Sequence, residues 1–116
     1  MNREKFIEYL DAKNIQHRIK GETLIIECGN VDLSSLTELP ENTRFNNAGG
    51  VHIRSLKSLP ENTRFNNDGY VYLHSLTSLP ETTRFNNDGG VHLDSLTELP
   101  EKVKRNSTTC EYYLKQ

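Results

Sequence analysis

Residues 31–90 read VDLSSLTELPENTRFNNAGG, VHIRSLKSLPENTRFNNDGY and VYLHSLTSLPETTRFNNDGG, which are three successive blocks of equal length that begin at Val31, Val51 and Val71. A fourth block, VHLDSLTELPEKVKRNSTTC, begins at Val91 and departs from the pattern after Pro100. An unbroken period of this kind is the signature of a repeat architecture, in which each unit packs on the unit before it. The sequence therefore predicts a solenoid of about four coils over residues 31–106.

Each block carries the same apolar positions, and these predict the shape of one coil. In the second block Val51 and Ile53 alternate with polar residues, which predicts a short strand with one buried face. Pro60 prevents a helix from continuing, and Phe65 is expected to point inward from a second short strand. One block is too short for both a full helix and a strand. We therefore expect a mainly β chain, a short right-handed parallel β-solenoid of leucine-rich type.

Stacked coils place equivalent residues above one another, so the sequence also predicts ladders of identical side chains. The ring ladder is expected to lie inside the coils and comprises Phe45, Phe65 and Phe85. The Asn-Asn-Asp-Gly segments are expected to be turns, because Asn and Gly tolerate positive φ. An amide ladder is predicted there from Asn46, Asn66 and Asn86. A further ladder of hydroxyl groups is predicted beside the core, where each is expected to bond to the backbone. It comprises Ser35, Ser55, Ser75 and Ser95.

The two ends of the chain differ from the repeat and are expected to cover the open ends of a single domain. Residues 1–30 are predicted to form a cap, with a helix over residues 2–12 that ends near Asn14. The helical spacing is that of Phe6, Ile7 and Leu10. A strand follows over residues 23–27, where Ile25 stands one full period before Phe45 and is expected to start the solenoid. Residues 107–116 are predicted to close the last coil.

Composition narrows the possible functions. The chain has 14 basic and 16 acidic residues and a formal charge of −2, without the basic stripe expected of a protein that binds nucleic acid directly. Neither a secretory signal nor an apolar run long enough to cross a membrane is seen. Cys28 and Cys110 stand far apart and are interpreted as free thiols of a reducing compartment. We therefore expect a cytoplasmic protein with no cofactor.

The segments LTELPENTRFNN, LKSLPENTRFNN and LTSLPETTRFNN resemble short leucine-rich-repeat-like proteins of bacteria and bacteriophages, those with serial Leu-Pro-Glu turns. Residues 31–100 carry this resemblance. It implies an interaction scaffold, and one form of such a scaffold is a phage-encoded inhibitor of a host defence protein. The blocks depart from the usual repeat by placing Ser35 and Leu36 where an Asn is expected. That departure favours a compact coil over an open horseshoe.

Residues that differ from block to block are expected to face outward, where function can reside. One outward column reads Asp32, His52, Tyr72 and His92, and the next reads Ser34, Arg54, His74 and Asp94. Tyr and Arg are favoured at the centres of protein interfaces. We therefore predict a surface for a protein partner formed by His52, Arg54, Tyr72, His74, His92 and Asp94. A nucleophile elbow, a phosphate loop and a carboxylate pair are all missing, and the chain is not expected to be an enzyme.

Three other interpretations remain open at this stage. The chain could be a structural or self-assembling element. His74, His92 and Asp94 could bind a transition metal, although the usual ligand spacing is missing. A basic row could contact phosphates, and it comprises Arg44, Arg64, Arg84 and Lys104. An acidic residue stands three positions before each basic one and is expected to offset the positive charge, which argues against the phosphate interpretation. These acidic residues are Glu41, Glu61, Glu81 and Glu101.

Overall fold

The computed structural model describes residues 2–105, 107 and 111–115. A helix and a hairpin come first: α1 (Arg3–Ala12), β1 (His17–Lys20) and β2 (Thr23–Ile26). The coils contribute β3 (Val31–Asp32), β4 (Thr43–Phe45), β5 (Val51–His52), β6 (Arg64–Phe65), β7 (Val71–Tyr72), β8 (Arg84–Phe85) and β9 (Val91–Leu93). A short helix, α2 (Glu101–Arg105), and β10 (Tyr112–Leu114) complete the described chain.

Each of the first three blocks contributes one strand to each of two sheets, and the described part of the fourth block contributes β9 and α2. One sheet, here called the Val sheet, has the strand order β10-β9-β7-β5-β3 and is parallel throughout. The other, here called the Arg sheet, has the strand order β1-β2-β4-β6-β8 and is parallel except for the antiparallel β1–β2 hairpin. In the Val sheet, Val31 pairs with Val51, which pairs with Val71. This register is the repeat period of the sequence. The predicted mainly β solenoid of about four coils is therefore confirmed.

The core lies between the two sheets and is built from the repeated apolar positions. The rings of Phe45 and Phe65 stack with centroids 5.0 Å apart and planes within 3°. Phe65 and Phe85 continue the stack at 5.2 Å and 9°. All three rings are completely buried. The inward ring ladder that the sequence predicts is thus present in the structure.

The predicted amide ladder is shifted by one residue. The buried amides are those of Asn47, Asn67 and Asn87, whereas Asn46, Asn66 and Asn86 are partly or fully exposed. The cause is the alternation of side chains along an extended chain, which turns the residue after each Phe outward and the next one inward. The side-chain amide of Asn67 bonds to the backbone: its Nδ2 donates to the backbone oxygens of Gly49 (3.1 Å), Gly69 (3.1 Å) and Tyr70 (3.3 Å).

The glycine of the Asn-Asn-Asp-Gly segment allows neighbouring coils to approach closely. It does not have the positive φ that the sequence suggested. Positive φ is found instead in the Leu-Pro-Glu-Asn segment, at Asn42 (59°) and Asn62 (61°). A Cβ added to Gly69 would lie 2.8 Å from the backbone carbon of Gly49, well inside van der Waals contact. The small residue is therefore required because the backbone of the preceding coil occupies the space.

Gly69→Ala is expected to lower the free energy of unfolding by about 2 kcal/mol, because the added methyl group must push two coils apart. Urea denaturation followed by far-UV circular dichroism measures this loss. Gly29→Ala is the matched control, since a Cβ at Gly29 meets no atom within 4 Å. Equal effects of the two substitutions would show that the coils do not approach each other closely at Gly69.

The N-terminal segment covers the first coil. Asn2 caps α1 by accepting a hydrogen bond from the Lys5 amide (2.8 Å), and Phe6 and Leu10 lie buried in the common core. The register expected where the solenoid starts is wrong by one residue, because Ile26 and not Ile25 pairs with Phe45. The interval from Ile26 to Phe45 is one residue shorter than the repeat period. The hairpin lies outside the repeat, so the period could not predict its register.

The C-terminal segment extends the Val sheet, with β10 pairing in parallel with β9. Arg105 lies in α2, and the Phe85 ring is met edge-on by Tyr112, with centroids 6.0 Å apart. The predicted closing segment lies in part outside the described residues, as does Cys110, whereas Cys28 is free and partly buried. Neither described helix has the length and apolar character needed to cross a membrane.

Candidate functional site

The Val sheet carries a continuous column of stacked aromatic rings on its outer face. Strand register places His52 beside Tyr72, Tyr72 beside His92, and His92 beside Tyr113. The successive ring centroids are 4.5, 4.7 and 4.5 Å apart, and the planes are within 16° of parallel. These spacings follow from the separation of paired strands, about 4.8 Å, which is also a favourable distance for ring stacking. We call these four residues the aromatic column.

The second predicted column runs beside the aromatic column, in the turns that follow the strands. The His74 ring lies 5.8 Å from that of Tyr72, and its Nδ1 contacts a carboxylate oxygen of Asp94 in the next coil. The Ser95 hydroxyl bonds to the backbone as predicted, since it donates to the His74 oxygen at 2.6 Å. The first serine of the ladder differs, because the Ser35 hydroxyl pairs with that of Tyr9 (2.8 Å). Arg54 is exposed, and its charge acts on Asp32 at the start of the aromatic face. The structure therefore brings all six residues predicted from the sequence onto one surface.

Two tyrosines of this surface were missed in the sequence. Tyr70 is 48% exposed and lies obliquely against Tyr72 and His92, with centroids 6.1 and 5.8 Å away. The sequence did contain a sign that Tyr70 is exposed, because it stands where the neighbouring coils have Gly50 and Gly90. Tyr113, at the end of the aromatic column, is 42% exposed and lies outside the repeat, so its register was not readable from the period.

Charge is distributed unevenly along the surface. Hydrogen bonds from Ser34 lower the pKa of Asp32 at the first coil, and the positive charge of Arg54 acts in the same direction. At the far end the Tyr113 hydroxyl donates to a Glu111 carboxylate oxygen (2.6 Å), and this bond raises the pKa of Tyr113. The ends of the surface thus carry carboxylates, and its middle carries aromatic rings and an arginine.

The three residues considered for a metal take separate roles in the structure. The ring of His92 is stacked between Tyr72 and Tyr113, while His74 contacts Asp94. The centroids of His74 and His92 are 6.3 Å apart with a 40° tilt. Within residues 2–105, 107 and 111–115, no group of three or more His, Cys, Asp or Glu side chains is placed to hold a metal ion.

The outer face of the Arg sheet differs from the expectation of matched acidic and basic rows. Arg44, Arg64 and Arg84 do lie in register on paired strands. The ion pairs found among the described residues do not join them to the glutamates three positions earlier. Glu61 instead accepts from the Thr82 hydroxyl at 2.6 Å, and Glu81 pairs with Lys102 at 3.2 Å. The side chains of Glu61 and Glu81 are thus engaged with the next coil.

The fold and this surface together define a β-solenoid repeat protein with an aromatic outer face. Comparison with protein-family models, with curated proteins and with solved structures found no match. The fold class consequently rests on two observations made on the chain itself, the period of the sequence and the strand register that reproduces it.

Proposed function

We propose that this chain is a non-enzymatic protein-binding module that acts in the bacterial cytoplasm, and that its partner contacts the aromatic face of the Val sheet. The observation that carries the proposal is the aromatic column with the exposed rings of Tyr70 and Tyr113 beside and at the end of it. The partner-binding residues are His52, Arg54, Tyr70, Tyr72, His74, His92, Asp94 and Tyr113.

The physical argument starts from the cost of ordering side chains in an interface. Immobilising a rotamer-rich side chain costs about 0.5–1.5 kcal/mol on binding. Stacking between neighbouring coils already holds the rings of Tyr72 and His92 in place, so they can offer apolar area without this cost. Tyr and Arg are also enriched among the few residues that dominate interface energies. The face therefore combines rigid aromatic anchors with a charged group, Arg54, that can orient the partner.

A more specific form of the proposal is that the chain is a phage-encoded inhibitor of a bacterial host defence protein. Its support is the resemblance of residues 31–100 to leucine-rich-repeat-like proteins of bacteria and bacteriophages. The rigid face suits this role, because an inhibitor of a preformed surface gains affinity when it is itself preorganised.

The double variant Tyr70→Gly, Arg54→Ala tests the proposed face. Gly occupies the position of Tyr70 in the two neighbouring coils, and Arg54 is exposed, so the fold is expected to be retained. The tagged chain is used to capture proteins from a bacterial lysate, and the affinity of a retained protein is then measured by calorimetry. We expect the double variant to weaken that affinity about 30-fold, or about 2 kcal/mol, as for truncation of interface anchors.

The matched control is Arg64→Ala, Arg84→Ala, which removes two side chains from the Arg sheet. This control is expected to bind the partner as the wild type does. Partner binding that survives the Tyr70→Gly, Arg54→Ala change and fails in the control would assign the interface to the Arg sheet and refute the proposed face. Sedimentation of the wild type alone separates partner binding from self-assembly of the chain.

A further inference from the structure

The Arg sheet places like charges next to one another. Arg44 pairs in register with Arg64, and Arg64 pairs with Arg84. Paired strands lie about 4.8 Å apart, and like charges directly opposite each other destabilise a sheet. A row of this kind is stable when an acceptor or counter-charge lies near each guanidinium.

The guanidinium of Arg84 has such acceptors. The Nη1 of Arg84 donates to the backbone oxygens of Glu81 (2.7 Å) and Thr83 (2.9 Å). Among the described residues, no hydrogen bond or ion pair engages the guanidinium of Arg44 or Arg64, and the buried Nε of Arg44 has no acceptor. Two adjacent cations without a counter-charge among the described residues favour an anion between them.

A hollow of about 180 Å³ opens between these two arginines. Its lining consists of Thr23, Asn42, Arg44, Asn62 and Arg64. The Nδ2 of Asn62 donates to the Oδ1 of Asn42 at 3.0 Å, which leaves the side-chain N–H groups of Asn42 available. The residues that line the hollow thus carry two guanidinium groups, two side-chain amides and a hydroxyl, and none of these described residues carries a carboxylate.

We propose that this hollow binds a single phosphate group, either inorganic phosphate or the terminal phosphate of a small phosphorylated molecule. Guanidinium groups form charge-assisted, bidentate hydrogen bonds with phosphate oxygens, and two of them match the double negative charge of a phosphate monoester. The formal charge of the whole chain is −2, so the attraction is local to the hollow and favours a small ligand over a nucleic acid. The site is on the opposite sheet from the proposed protein-binding face and is independent of it.

NMR titration of the purified chain with inorganic phosphate and with pyrophosphate tests the proposal, and sodium chloride at matched ionic strength corrects for screening. We expect saturable shifts of the amide signals around Asn42 and Asn62, with a Kd near or below about 1 mM. Arg44→Gln and Arg64→Gln should each weaken binding about tenfold or more, as for loss of a charge-assisted contact. Tighter binding of pyrophosphate would assign the ligand to phosphorylated molecules, and equal binding would assign it to phosphate itself.

Arg84→Gln is the matched control, because it removes the same charge from the same sheet without changing the hollow. It is expected to weaken phosphate binding no more than about twofold, the small effect of a screened charge outside the site. An equal loss in Arg84→Gln and Arg44→Gln would mean that phosphate senses only the overall charge, and the proposal would then be wrong. The absence of saturable shifts in the folded wild type, or binding of a single-stranded oligonucleotide but not of phosphate, would also overturn it.

Discussion

Replacing Phe65 by alanine is expected to lower the free energy of unfolding by about 3–5 kcal/mol. The Phe65 ring is completely buried and stacks between Phe45 at 5.0 Å and Phe85 at 5.2 Å. Hydrogen bonds such as that from the Asn66 amide to the Phe45 oxygen (2.7 Å) fix the spacing of the coils on both sides. The surrounding structure therefore cannot collapse into the space that the ring leaves, and the full cost of a cavity is expected.

Urea denaturation monitored by far-UV circular dichroism measures the loss, with the m-value compared between variants to check that the same amount of structure unfolds. Ile19→Ala serves as control because Ile19 is a large apolar residue that is 52% exposed on β1. Its loss is expected to stay within about 0.5 kcal/mol, as for a surface substitution. A Phe65→Ala loss below about 1 kcal/mol would mean that the ring ladder is not part of the core.

Asn67→Ala is expected to lower the free energy of unfolding by about 2–3 kcal/mol, because the two amide hydrogens serve three acceptors and each lost hydrogen bond contributes about 1 kcal/mol net. The amide of Asn67 donates to three backbone oxygens, two of its own turn and one, that of Gly49, of the preceding coil. The side chain is almost completely buried, so water cannot replace the lost donor. Asn67 thus acts as a clamp between two coils, and alanine removes the clamp without adding bulk.

Asn66→Ala is the matched control, since Asn66 is the same residue type one position earlier and its side chain is partly exposed. Its backbone amide donates to the Phe45 oxygen, and alanine keeps that bond. We expect a change within about 0.5 kcal/mol. Thermal and urea denaturation of both variants decide the matter, and a larger loss for Asn66→Ala than for Asn67→Ala would support the amide ladder first predicted from the sequence.

Much of the fold could be predicted because a repeat restates its constraints in every coil. The constant period fixes which residues lie above one another, and so it predicts the stacking of Phe45, Phe65 and Phe85. The same period predicts the columns of the Val sheet, including the neighbours His52 and Tyr72. Side chains alternate between the two faces of an extended chain. Since Phe65 points inward, the same rule predicts that Asn67, two residues later, also points inward.

The sequence by itself determined the coil, its period and the composition of its faces, because these depend on positions that recur and on local alternation. Tertiary structure alone decided three features: the stacking of Tyr113 on His92, the pairing of Ile26 with Phe45, and the hollow between Arg44 and Arg64. The first two involve segments outside the repeat, whose register is set by packing. The hollow depends on how the side chains of Asn42, Arg44, Asn62 and Arg64 are oriented between coils, and their identical spacing in sequence cannot specify that orientation.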